Sequence, residues 1–103
     1  MTLRVVWRAE ARLDLLELYD WIAQQAGATT AINYTLAIEQ HVNKLCDLPG
    51  WGSPRDDLAA GMRTISYRRR TTIAYRELDD AVEIVRLAHG GRDLGRTFRK
   101  ADD

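Results

Sequence analysis

Histidine is the side chain that exchanges protons near neutral pH, and this chain holds two, His41 and His89, together with one thiol, Cys46. His41 falls at the edge of an apolar stripe at helical spacing, a place for a packed ring. His89 ends an apolar run and precedes Gly90-Gly91-Arg92. Its imidazole can therefore sit at a strand end beside a guanidinium, as acid or base toward a ligand or as a structural hydrogen-bonding group. The two histidines and Cys46 have none of the spacings that hold zinc, so no metal is expected. Gly90, Gly91 and Gly95 lack the strand, glycine-rich turn, helix and downstream acid of a phosphate cradle, and Ser53 and Ser66 lack an elbow motif and a base. No cofactor and no serine nucleophile is expected.

The other chemistry-bearing residues are arginines. Thirteen of the fifteen basic residues are Arg, the exceptions being Lys44 and Lys100. Fifteen acidic residues balance them, which argues against a protein whose affinity comes mainly from neutralising phosphates, and no sequence-specific nucleic-acid binding is expected. The charge is unevenly placed: residues 1–60 are net acidic and residues 61–103 net basic. Arg68-Arg69-Arg70 form a concentrated positive site, either solvated in a turn or set against an acidic partner or a nucleic-acid backbone. Arg92, Arg96, Arg99 and Lys100 make a basic tail.

The elements that carry these residues are legible from their periods. Leu3-Arg4-Val5-Val6-Trp7 reads as a short strand. From Ala9, the residues Ala11, Leu15, Leu18 and Ile22 recur at helical spacing, with Glu10, Asp14, Glu17 and Asp20 placed elsewhere around the axis, until Gly27 stops the helix. Thr29 or Thr30 is expected to cap a second, antiparallel helix striped by Ala31, Tyr34, Ile38, Val42 and Leu45 and ended before Pro49. Leu13, Leu16, Ile32 and Leu36 lie off these stripes. Either the stripes are slightly rotated and the four are core, or the helical pair has a second apolar face that needs a partner.

Residues 48–61 hold both prolines and read as a long connection pinned by Trp51 and Leu58. After Gly61 the period becomes two. Strands are expected at 62–67, 71–76 and 82–88, the first pair joined by the arginine triplet, and the last, apolar at nearly every position, at the centre of the sheet. The expected fold is α+β, in the order β-α-α-β-β-β, with a helical hairpin on an antiparallel sheet. The 103 residues suit one domain with a basic tail at 94–103, of ordinary globular composition. No apolar run approaches a membrane span, and a lone cysteine calls for no oxidising compartment, so the cytosol is expected.

The order and spacing of these pieces resemble the ParE toxins of the RelE/ParE superfamily. The resemblance rests on Trp7, Asp14-Leu15 and Leu18-Tyr19-Asp20-Trp21-Ile22-Ala23, on Ala31, Tyr34 and Ile38-Glu39, on Leu48-Pro49, Gly52 and Arg55, on Gly61-Met62-Arg63 and Ile73-Ala74-Tyr75-Arg76, and on residues 82–93 ending His89-Gly90-Gly91-Arg92-Asp93. It implies a bacterial type II toxin that inhibits DNA gyrase and is neutralised by a ParD-like antitoxin. A RelE-like ribosome-dependent endoribonuclease is the alternative, since the two branches share a fold. A gyrase inhibitor needs a complementary surface and no catalytic residues of its own. An endoribonuclease would have to use His89 with Arg63, Arg86 and Arg92. The expected target-binding residues are His89, Arg92, Arg96 and Arg99. The expected antitoxin groove is Leu13, Leu16, Ile32 and Leu36, with Arg63 and Arg86 pairing to acidic groups of the antitoxin.

Overall fold

The computed structural model describes residues 3–90; Arg92, Arg96, Arg99 and the remainder of the tail lie outside the described residues. Its elements are β1 (Arg4–Trp7), α1 (Ala9–Ala26), α2 (Ala28–Asn43), β2 (Ser53–Pro54), β3 (Arg63–Tyr67), β4 (Thr71–Glu77) and β5 (Ala81–His89), with short 3-10 turns at Lys44–Cys46 and Pro49–Trp51. The five strands form one sheet in the order β1-β5-β4-β3-β2.

The sheet is mixed. β2 to β5 are antiparallel neighbours, whereas β1 runs parallel to β5, with Arg4 opposite Ala81 and Trp7 opposite Ile84. A parallel pair needs a long crossover, which the helical hairpin and the meander supply between them. The expectation of an all-antiparallel sheet is corrected at this edge, and so is the reading of residues 53–54 as loop. The apolar last strand is indeed interior.

α1 buries Ala11, Asp14, Leu15, Leu18 and Ile22, a stripe at three- and four-residue steps. It ends and α2 begins at one residue. Gly27 donates its N–H to the Ala23 carbonyl (2.9 Å), accepts from the Ala31 N–H (3.1 Å), and takes φ +95°, where a Cβ would be strained. Thr29 and Thr30 therefore lie inside α2 and cap nothing, because the reversal at Gly27 is complete before they are reached.

The main core lies between the helices and one sheet face, where Ile38, Val42, Leu45, Ile73, Tyr75, Val82 and Ile84 are fully buried. On the other face Met62, Ala74 and Val85 are covered by Leu58 and Ala59 of the connecting segment. The segment is anchored at its start by the buried Tyr75 hydroxyl, which accepts from the Gly52 N–H (2.7 Å) and donates to the Pro49 carbonyl (2.8 Å). Burial pushes the Tyr75 phenol above its ordinary value of 10.0. Gly52 has no room for a side chain: a Cβ there would sit 2.6 Å from the Tyr75 oxygen.

Candidate functional site

β1 stops at Trp7, opposite Ile84, so β5 beyond Ile84 has no strand on that side. A groove of about 530 Å³ opens there, walled by Asp14, Glu17, Leu18 and Trp21 from α1, by Leu87, His89 and Gly90 from β5, and by Arg70 from the β3–β4 turn.

Asp14 closes the lower end. Its carboxylate accepts from Arg86 Nε (2.8 Å) and Nη2 (3.0 Å) and from the Leu87 backbone N–H (2.9 Å). A side chain thereby takes the place that a neighbouring strand would have on β5. The ion pair is largely buried, and the carboxylate beside Arg86 holds its guanidinium above the ordinary value. Asp14 was expected among the outward acids of α1, and the structure corrects this. It stands three residues after Ala11 and four before Leu18, on the buried stripe itself, and that position was the available signal.

His89 occupies the upper end, held from three sides. Nδ1 lies 2.9 Å from the Thr71 hydroxyl, which lies 3.0 Å from the Tyr34 hydroxyl, and the imidazole packs at 5.2 Å on Trp21 and 6.0 Å on Tyr34. Thr71 is fully buried. Its hydroxyl can donate to an unprotonated Nδ1 while accepting from Tyr34, or accept from a protonated Nδ1 while donating to Tyr34, so the chain stays satisfied for either form. Thr71, Tyr34 and Trp21 are the positioning residues that sequence reasoning did not attach to His89. Only the pairing of Thr71 opposite His89 across β4 and β5 brings them together.

The other predicted residues are placed apart. Tyr67, Thr71 and His89 share one row across β3, β4 and β5, while Arg63 is four residues away along β3, about 13 Å by strand geometry. Arg63 donates to the Gly52 carbonyl (2.7 Å). Arg86 is held by Asp14, a carboxylate of this chain. His89, Arg63 and Arg86 are not assembled into one site. His41 Nε2 lies 3.2 Å from the Ser66 carbonyl, the structural position expected for it.

Leu13 (59%), Leu16 (60%), Ile32 (46%) and Leu36 (50%) are exposed, so the account in which they are core fails. They give the outer side of α1 and α2 an apolar band, with Leu16 and Leu36 at similar heights from the Gly27 junction. Among the described residues no His/Cys/Asp/Glu cluster is arranged to hold a metal, and no helix is long and apolar enough to cross a membrane.

The model of the family described as the ParE toxin of the type II toxin-antitoxin system, parDE, matches residues 5–94 of this chain. The chain belongs to the ParE toxin family. Among curated proteins it is similar to Toxin ParE1 of Caulobacter vibrioides, 25% identical over 79 residues, a match spanning 77% of this chain and 80% of the relative. Among solved structures it superposes on a chain of the chromosomal ParDE TA system from P. aeruginosa with a TM-score of 0.75 and 22% identity, covering 86% of this chain and 97% of the other, a likeness of fold. The ParE match runs through both the groove and the apolar band.

Proposed function

We propose that this ParE-family chain arrests growth by binding DNA gyrase in the cytoplasm, without making or breaking a covalent bond itself, and that a ParD-like antitoxin neutralises it. The observation that carries the non-enzymatic reading is the dispersal of the polar residues that RNA cleavage would need. Arg86 is engaged by Asp14 at the base of the groove, Arg63 is held by the Gly52 carbonyl four residues along the sheet from the row of His89, and His89 is bonded to Thr71 rather than to either guanidinium. A binding protein needs only a surface that fits one state of its target. His89 in the groove, together with Arg92, Arg96 and Arg99 that follow it in the sequence, makes the target-binding set in this reading. The apolar band of Leu13, Leu16, Ile32 and Leu36 is the antitoxin face, since an amphipathic helix buries such a band at i, i+3, i+4 spacing.

Supercoiling and cleavage assays with purified gyrase, run beside primer extension on translated messages, test this. Inhibited supercoiling with intact messages is expected. Cut messages with unaffected gyrase would replace this reading by the endoribonuclease one, to which the His89–Thr71–Tyr34 chain in an open groove would then belong. Leu16→Glu with Leu36→Glu should abolish antitoxin rescue and leave growth arrest. Charge reversal at Arg92, or truncation after Asp93, should relieve arrest and leave antitoxin binding.

A further inference from the structure

The arginine triplet is not used by the groove or by the apolar band, apart from Arg70 on the groove wall. Arg68 and Arg69 are the two central residues of the β3–β4 turn, closed by the Arg70 N–H on the Tyr67 carbonyl (3.1 Å), and both take positive φ, 53° and 58°. That geometry suits Asn-Gly; for each arginine the left-handed region is strained. Three exposed guanidinium groups are thus presented at a tight tip. Behind them rings line up: Arg68 lies 5.4 Å over Tyr67, Tyr67 packs on His41 at 5.3 Å, and His41 on Trp51 at 5.1 Å, with Trp51 46% exposed.

We propose that Arg68, Arg69, Arg70, Tyr67, His41 and Trp51 form a sequence-independent binding site for a single-stranded nucleic acid. Cations clustered beside the half-buried Tyr67 and His41 rings and the exposed Trp51 ring match a strand whose phosphates are anionic and whose unstacked bases are flat and aromatic. An acidic peptide would satisfy the arginines and leave the rings unused. The site is independent of the gyrase reading, and either can fail alone.

Fluorescence anisotropy of labelled dT15 and rU15 with the full chain tests it. Both strands are expected to bind, with affinity falling at a log–log salt slope of about −2 for three cations. A preference for one strand assigns the site to DNA or to RNA. Trp51→Ala should weaken binding roughly 5- to 150-fold, and Trp51→Phe should retain most of it. Arg68→Asn with Arg69→Gly relieves the turn, so it should raise Tm, by roughly 4–8 °C per kcal/mol gained, while weakening binding and flattening the salt slope. Stability and binding thus move in opposite directions, which a folding defect cannot imitate. No binding at 50 mM salt, equal binding to a blunt duplex, competition by polyglutamate as effective as by dT15, or full binding by the turn variant would each overturn the proposal.

Discussion

Replacing Asp14 by Ala tests whether the groove depends on the clamp at its base. The carboxylate is 6% exposed and accepts three hydrogen bonds, two from Arg86 and one from the Leu87 N–H. Removing one partner of a buried ion pair costs about 3–5 kcal/mol, and an orphaned backbone N–H about 1–3 kcal/mol. These overlap, and the Arg86 side chain, 18% exposed, can recover some hydration. The expected loss is about 3 kcal/mol, a large part of the 5–15 kcal/mol that holds a domain folded, and it corresponds to a Tm lower by roughly 12–24 °C. Urea melts followed by far-ultraviolet circular dichroism would measure it. Asp14→Asn keeps an acceptor for Leu87 and should cost less. Asp14→Leu combined with Arg86→Met removes both charges and should recover much of the loss of Asp14→Ala, because the penalty comes from stranding one ion rather than from lacking a pair. A loss below about 1 kcal/mol for Asp14→Ala, or a double variant as unstable as the sum of the single ones, would refute the reasoning.

Three further outcomes are expected. Tyr75 has a phenol value raised on folding, so the stability linked to it is complete below pH 10.0 and is lost as pH rises through the higher folded value. Tyr75→Phe should therefore flatten the alkaline fall in a stability-against-pH series, at a constant cost of about 1–2 kcal/mol from the unsatisfied Gly52 N–H and Pro49 carbonyl. Gly52→Ala drives a methyl to within 2.6 Å of the Tyr75 oxygen and 2.8 Å of the Thr64 carbonyl. It should destabilise by about 1–3 kcal/mol in denaturant melts, and Gly52→Ala with Tyr75→Phe should relieve only part of this, since the clash with the carbonyl persists. Thr71→Val keeps the buried shape and removes the hydroxyl between Tyr34 and His89. It should shift the His89 imidazole resonances and reduce growth arrest, with Thr71→Ser restoring both; unchanged resonances would show that Thr71 does not orient the ring.

The order of elements apart from β2, the helical hairpin, the three-strand meander and the interior place of β5 were legible in the sequence. They follow from local periodicity: Ala11, Leu15, Leu18 and Ile22 can share a face only on a helix, and residues 82–88 can be apolar at all but Glu83 and Arg86 only where both faces are covered. The parallel pairing of β1 was not legible. A strand's direction beside its neighbour depends on where the intervening chain returns, and residue types do not encode that. The separation of His89 from Arg63, the capture of Arg86 by Asp14 across 72 residues, and the bridge from Thr71 to His89 likewise came only with strand register. The arginine triplet was visible as charge, and its strained backbone and the rings behind it were not. Periodicity is written in neighbouring residues, whereas partnership between distant side chains is set by packing the whole chain at once.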